Sequence, residues 1–129
     1  MGLSAAVVVT APGSPDEIAG VAPRGEFDMD ASEPLAEALT AALRSPSRGT
    51  LLDLSGLTFA DSTLLGLLLS TVEDHREEGR ALVIAGPFAS SVWRVFTVTG
   101  VVSHLPLAAD RREALGRPPA AGATRRRSR

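Results

Sequence analysis

Apolar residues in this chain fall into short strand-like runs that are separated by longer segments with helical spacing. The runs predict strands over residues 4–10, 17–23, 50–54, 81–85 and 101–107. The intervening periodicity predicts helices over residues 30–44, 61–78, 90–98 and 110–115. Because strands alternate with helices from the second strand onward, the pattern favours an α/β sheet with parallel neighbours joined by right-handed crossovers.

Residues with special backbone preferences mark the expected ends of these elements. Asp30 or Ser32 is the expected N-cap of the first helix, and Pro34 suits its first turn. Gly79 and Gly100 are expected just past the ends of the second and third helices. Residues 55–60 are interpreted as a connection without a strand, and residues 25–28 as the end of the second strand.

Length and composition favour one domain. The chain has 129 residues, 44% of them hydrophobic, and no cysteine, so a single core is expected without disulfides or thiolate metal sites. No apolar run is long enough to span a membrane and no signal peptide is visible, so we expect a cytoplasmic protein. The predicted domain covers residues 4–115. Residues 116–129 lack an apolar period and are predicted to form a disordered, Arg-rich tail.

The net charge of −2 hides two regions of opposite sign. All fifteen acidic residues precede residue 116 and are accompanied there by eight arginines, which gives that region a charge of −7. The last thirteen residues hold five arginines and no acid. Phosphates would be repelled by the acidic region, so nucleic acid is not an expected partner of the domain.

The segment 51–69, with the sequence LLDLSGLTFADSTLLGLLL, carries the clearest functional pattern. A strand ends, a loop follows, and Asp61-Ser62-Thr63 opens a helix. The first N–H groups of a helix lack intrahelical partners and carry partial positive charge. A hydroxyl there can cap the helix, and a phosphate on that hydroxyl can be held by the same groups.

Five elements in order resemble the STAS domain family, which covers anti-sigma factor antagonists and the cytoplasmic ends of sulfate transporters. They are Gly25-Glu-Phe-Asp28, Leu52-Asp-Leu-Ser55, Phe59-Ala-Asp-Ser-Thr63, Leu82-Val-Ile-Ala-Gly86, and Val95-Phe96 with Thr99-Gly100. The resemblance spans roughly residues 5–115. It implies a STAS-like single domain with a mixed, mostly parallel sheet of about four or five strands and about four helices.

The resemblance also implies a function. In the family, the serine after the aspartate of the third element is the phosphorylation site, which corresponds to Ser62. The unphosphorylated antagonist binds an anti-sigma factor with a GHKL-type serine kinase fold, and the sigma factor is released. The kinase then phosphorylates the antagonist, and a PP2C-type phosphatase removes the phosphate. Many members have glycine two residues after the serine, where this chain has Leu64.

The resemblance gives the expected partner-binding residues as Asp28, Asp61, Ser62, Thr63 and Leu64. An ordinary helix N-cap is the alternative role for Ser62, and the two roles can coexist. Asp28 and Asp61 are also considered as a metal pair, but two carboxylates without a third ligand are thin evidence for one, so a structural role or a partner contact is preferred. A second functional hypothesis is a STAS scaffold subunit of a larger sensory or stress-signalling complex.

Other polar residues are assigned structural roles. Asp53 is interpreted as a loop cap rather than a catalytic group, and His75 as a solvated residue in a charged helix end. Ser62 and a histidine do not form a hydrolase site on this pattern, because no glycine-rich nucleophile elbow is present. We therefore expect no catalytic residues, no cofactor and no metal. Trp93 is expected either as an exposed contact residue or in helix packing.

Overall fold

The computed structural model describes residues 6–10 and 17–116, which form one α/β domain. Its strands are β1 (Ala6–Thr10), β2 (Ile18–Phe27), β3 (Gly49–Asp53), β4 (Leu57–Ala60), β5 (Ala81–Ala85) and β6 (Leu107–Ala108). Its α-helices are α1 (Met29–Arg44), α2 (Thr63–Glu77), α3 (Ser90–Thr99) and α4 (Arg111–Gly116), and a 3₁₀ turn covers Val102–His104. The predicted fold class is confirmed, with one strand more than the upper expectation.

The sheet is mixed and mostly parallel. Its strand order is β1-β2-β3-β5-β6, with β4 paired to β2 outside this path. β1 is antiparallel to β2, and the other pairs are parallel. The long β2 pairs through its first half with β3, from Ile18↔Gly49 to Val21↔Leu52. Its second half pairs with β4, ending at Phe27↔Ala60.

Helices cover both faces of the sheet. The main core contains side chains from α1, α2 and α3, which pack on one face. A smaller cluster on the other face joins Ala114 of α4 to Leu51, Ala85 and Ala108. The largest fully buried side chains all belong to the main core or border it: Phe27, Phe96, Leu35, Leu52, Leu54, Leu57, Leu64, Leu68, Ile84, His75, Val21 and Val92.

Two sequence-based expectations about strands were wrong. Residues 55–60, expected to be a connection, contain β4. Residues 101–107, expected to be a strand, form a 3₁₀ turn followed by a β6 that pairs with β5 at only two positions. The apolar run there packs as a loop, since Leu105 is buried in the main core.

The first helix begins earlier than expected. Asp28 is the N-cap of α1, and its Oδ1 accepts a hydrogen bond from the backbone N–H of Asp30 at 3.0 Å. Neither Asp30 nor Ser32 has that role, because β2 continues to Phe27 and leaves no linker before the helix. At the other ends, Gly79 and Gly100 take φ of +66° and +72°, as expected for glycines that terminate helices.

The predicted first residues of β1, the predicted turn at 11–15 and the predicted tail beyond residue 116 lie outside the described residues. Within the described part of the chain, no helix combines the length and apolarity needed to cross a membrane.

Candidate functional site

Two helices begin side by side at one edge of the sheet. β2 leads directly into α1 and β4 leads directly toward α2, and the last register pair of these parallel strands is Phe27↔Ala60. The residues that follow this pair are Asp28 and Asp61. Because paired strands lie about 4.8 Å apart, both aspartates leave the sheet at the same place. The structure therefore brings together two of the residues that were predicted to bind a partner.

Asp61, rather than Ser62, caps the second helix. The Oδ1 atom of Asp61 accepts a hydrogen bond from the backbone N–H of Thr63 at 2.9 Å. Ser62 lies at the N-cap position with φ −68° and ψ −11°, yet its side chain makes no capping bond. Its side chain is exposed, and its hydroxyl bonds to no other described residue. The Ser62 hydroxyl is thus available to react, and the helix does not depend on it.

The next two residues lie deeper. Thr63 is half-buried, and Leu64 is completely buried in the main core. Because its side chain is buried in the main core, Leu64 holds the first turn of α2 in place and does not form part of the exposed site.

The charges around Ser62 are negative and unpaired. Asp28 and Asp30 are exposed, and Asp61 is half-buried. All three lie within two residues of the first residue of α1 or α2. The ion pairs Arg76–Glu73 and Arg111–Asp53 lie away from this edge, and neither involves Asp28, Asp30 or Asp61. The helix N-termini offset part of the repulsion between these carboxylates.

The arrangement does not form a metal centre. Within residues 6–10 and 17–116, no three His, Cys, Asp or Glu side chains converge as metal ligands. Asp28 and Asp61 each have one oxygen on a backbone N–H instead. Asp53 acts as the expected loop cap, since its Oδ1 accepts from the Ser55 backbone N–H at 2.9 Å and its Oδ2 lies 3.5 Å from Arg111.

His75 is not solvated, contrary to expectation. It is only 2% exposed and lies at the far end of α2, about 20 Å along the helix axis from Ser62. Its Nδ1 lies 2.9 Å from the carbonyl oxygen of Thr71, and its Nε2 lies 2.9 Å from Oγ1 of Thr50. A carbonyl only accepts, so Nδ1 carries the proton and Nε2 accepts from the threonine hydroxyl. Burial lowers the pKa of His75, so the ring is neutral at neutral pH.

A β-bulge next to the site was not expected from the sequence. Gly25 pairs with Leu57, but the next pair is Glu26↔Phe59, so Thr58 is an extra residue in β4. Thr58 is held in place by its Oγ1, which donates to the Gly25 carbonyl at 3.2 Å, and by its own carbonyl, which accepts from Ser91 Oγ at 3.0 Å. As a result, Phe59 is exposed while Leu57 and Ala60 are buried.

Trp93 packs in an aromatic cluster and is also partly exposed. Its ring stacks on Phe88 with centroids 5.8 Å apart and meets the buried Phe96 edge-on at 6.1 Å. It is also partly exposed and lines an open apolar groove of about 430 Å³. The groove is lined by Pro87, Phe88, Trp93, Val102, Leu107, Ala108 and Ala109.

Comparison with known proteins identifies a sequence family. The family described as "Mlab, STAS domain" matches residues 11–106, which is most of the chain. No functionally curated protein matches the chain.

Solved structures with the same fold come from several proteins. An anti-sigma factor antagonist from Mycobacterium paratuberculosis is 24% identical, with a TM-score of 0.72 over 87% of this chain and 92% of that one. The anti-sigma factor antagonist SpoIIAA in its unphosphorylated form is 20% identical, with a TM-score of 0.68 over 85% and 93%. The STAS domain of a SulP transporter from Vibrio cholerae is 19% identical, with a TM-score of 0.57 over 93% and 89%.

Proposed function

Because the chain belongs to the STAS domain family, we propose that it is an anti-sigma factor antagonist controlled by phosphorylation of Ser62. The unphosphorylated form binds a cytoplasmic anti-sigma factor with a GHKL-type serine kinase fold, and the sigma factor is released. That kinase transfers a phosphoryl group from ATP to Ser62, which ends the binding. A PP2C-type phosphatase removes the phosphate and restores the binding form.

The observation that carries this proposal is the state of the Ser62 hydroxyl. It is exposed, free of hydrogen bonds to described residues, and located at a helix start that Asp61 already caps. A kinase can therefore take up this hydroxyl without breaking a structural bond. The attack forms a bond from Ser62 Oγ to the γ-phosphorus, releases ADP and transfers the hydroxyl proton to a base on the kinase.

The electrostatics of the site explain how phosphate ends binding. A phosphoserine adds roughly −1.5 to −2 units of charge at pH 7, next to Asp61 and close to Asp28. During transfer Ser62 must face the nucleotide phosphates of the kinase, so the new charge meets a negative region of the partner. An interface that fits a neutral hydroxyl would then enclose an unpaired dianion, and each 1.4 kcal/mol of this penalty weakens binding about tenfold.

Two of the similar structures support the choice within the family. Both are anti-sigma factor antagonists, and one is in its unphosphorylated form. At 24% and 20% identity these structures share the fold with this chain. The partner is therefore proposed from membership of the STAS domain family, and the switch from the exposed Ser62 hydroxyl.

Modification at Ser62 tests the proposal directly. The purified chain is incubated with ATP, magnesium and each GHKL-fold anti-sigma factor of the source genome, and phosphopeptides are located by mass spectrometry. We expect one phosphate per chain at Ser62 and none on Ser62→Ala. Ser70→Ala is the matched control, because Ser70 is also exposed and lies on the same helix. Stoichiometric phosphate at another residue would contradict the assignment.

Binding affinity tests the switch. We expect Ser62→Ala to bind the anti-sigma factor at least as tightly as wild type, and Ser62→Asp to bind at least tenfold more weakly, in calorimetric titrations. Arg76→Gln lowers the charge of α2 by the same one unit about 21 Å along the helix from Ser62 and should bind like wild type. Binding that is independent of both Ser62 substitutions and is not followed by phosphorylation would favour the scaffold hypothesis instead.

A further inference from the structure

Two apolar side chains are exposed next to Ser62. Met29, the first residue of α1, is 70% exposed, and Phe59 of β4 is 47% exposed. The bulge at Thr58 explains the second exposure, because without the extra residue strict alternation from Leu57 would turn Phe59 inward and Ala60 outward. With it, Ala60 enters the core and Phe59 points away from it.

Phe59 lies on a part of the sheet that α4 leaves largely open. Phe27 and Ala60, a register pair, are buried in the core formed with α1, α2 and α3. The preceding pair, Glu26 and Phe59, therefore points to the opposite face. On that face α4 packs mainly on β3, β5 and β6. β4 contacts α3 instead, and Phe59 keeps about half of its surface exposed beside the exposed Glu26.

Both apolar residues fall within one interface centred on Ser62. Phe59 precedes Ser62 by three residues, so their Cα atoms are at most about 11 Å apart. Phe27 and Ala60 are a register pair. Met29 follows Phe27 by two residues and Ser62 follows Ala60 by two residues, so Met29 and Ser62 lie at corresponding positions. A standard interface covers about 800 Å² on each partner, a patch roughly 30 Å across. A protein that reaches Ser62 would therefore cover Phe59 and Met29 as well.

Carboxylates border these apolar residues. Four exposed acidic side chains occupy the end of β2 and the start of α1, and none of them forms an ion pair with a described residue: Glu26, Asp28, Asp30 and Glu33. A partner that buries this edge without compensating cations would leave several carboxylates desolvated, which is strongly unfavourable. The charge of the edge therefore specifies a partner with basic side chains opposite it.

We propose that Phe59 and Met29 are the apolar anchors of the partner interface, and that the partner presents an apolar pocket bordered by arginine or lysine side chains. The inference rests on the proposed function and adds the chemistry of the partner surface. The partner's cations lie opposite the carboxylates of β2 and α1, whereas its nucleotide phosphates lie opposite Ser62. This separation lets the acidic edge attract the partner while a phosphate on Ser62 repels it.

Substitution of the anchors tests the apolar part. We expect Phe59→Ser to weaken binding to the GHKL-fold anti-sigma factor at least tenfold, mainly through faster dissociation, as measured by surface plasmon resonance. Met29→Ser serves as a second variant outside the sheet and should also weaken binding several-fold. Val98→Ser is the matched control, since Val98 is 74% exposed near the C-terminal end of α3. Its affinity should stay within twofold of wild type.

Neutralisation of the edge tests the electrostatic part. The double variant Glu26→Gln/Glu33→Gln should associate more slowly at low salt, and its association rate should depend less on ionic strength than that of wild type. Glu77→Gln/Glu78→Gln removes the same charge at the other end of α2 and should retain the wild-type salt dependence. Thermal midpoints of all variants verify that each is folded.

The outcomes separate this inference from the proposed function. If no GHKL-fold anti-sigma factor binds the wild-type chain, the proposed function fails, and this inference with it. If wild type binds and Ser62→Asp does not, but Phe59→Ser and Met29→Ser bind like wild type, only the anchors are refuted. Equal salt dependence for the two double variants refutes the basic border of the partner.

Discussion

Replacement of Phe96 by alanine is expected to lower the free energy of unfolding by about 3–5 kcal/mol, the usual range for a fully buried phenylalanine. The ring of Phe96 is fully buried between α3 and the sheet and meets Phe88 edge-on at 5.5 Å. Because domains of this kind are stabilised by only about 5–15 kcal/mol, the loss would remove a large share of the total. The cavity left behind would be lined by apolar side chains that cannot hold water well.

Denaturant unfolding measures this effect. The fluorescence of Trp93, the one tryptophan of the chain, reports on the same cluster because its ring lies 6.1 Å from Phe96. Val98→Ala is the control on the same helix, where the side chain is 74% exposed, and should change stability by no more than about 0.5 kcal/mol. An unchanged midpoint for Phe96→Ala would mean that α3 does not pack on the sheet as described.

The elements with strong periodicity could be predicted from the sequence. The predicted ends of α2 and α3 differ from the observed ends by one residue, because a glycine with positive φ terminates each helix. The predicted start of α3 agrees with the structure, and that of α2 is two residues early. β5 was predicted with its observed bounds, since a short apolar run between Gly79 and Gly86 leaves few alternatives. These elements depend mainly on local sequence, so local rules suffice for them.

β4 could not be predicted because its conformation depends on a distant partner. It has four residues, and the bulge at Thr58 replaces the alternation of buried and exposed positions by two exposed residues between two buried ones. Its hydrogen bonds go to β2, about thirty residues earlier in the chain. The exposure of Phe59 is a consequence of that pairing, so no local pattern indicated it.

The burial of His75 was not predicted, for a different reason. Its neighbours in sequence are charged, which suggested solvent, but its spacing from Leu64, Leu68 and Thr71 places it on the buried stripe of α2. The helical period therefore indicated a buried position for His75, whereas its charged neighbours led to the opposite prediction. At the site, the position of Ser62 at a helix start was predictable, whereas the transfer of the capping role to Asp61 was not.

The two ends of α2 have different tasks. At its start, Leu64 and Asp61 hold the first turn, so Ser62 stays free for chemistry. At its end, the buried His75 ties the helix to β3 through Thr50. The charge change proposed at Ser62 therefore acts on a helix that is anchored along its length, which favours a change of surface charge over a change of fold.

Stability is expected to decrease as the pH falls below about 6.5, and His75 is the expected cause. Desolvation by burial is the largest effect and lowers the pKa of His75. The hydrogen bond to the Thr71 carbonyl is the next largest and raises it, while the smaller effects of Arg80 and Asp74 lower and raise it, respectively. In the unfolded chain the imidazole has its ordinary pKa of about 6.5. Below that pH the unfolded state binds a proton that the native state does not, so unfolding becomes more favourable until the pH reaches the lowered native pKa.

Because one proton is involved, the free energy of unfolding changes with pH by at most about 1.4 kcal/mol per pH unit. The stability contributed by the neutral His75 ring should be fully present above pH 6.5 and lost as the pH falls through the native pKa. Urea unfolding between pH 5 and 8 measures it in wild type and in His75→Gln, whose amide is neutral throughout and still offers a donor and an acceptor. His75→Gln should be less stable at pH 8, by about 1–3 kcal/mol if one buried hydrogen bond is lost, and its stability should vary less with pH.

His104→Gln removes an exposed histidine and should keep the wild-type pH dependence. If His75→Gln and wild type show the same slope below pH 6.5, the buried ring is not the group that titrates.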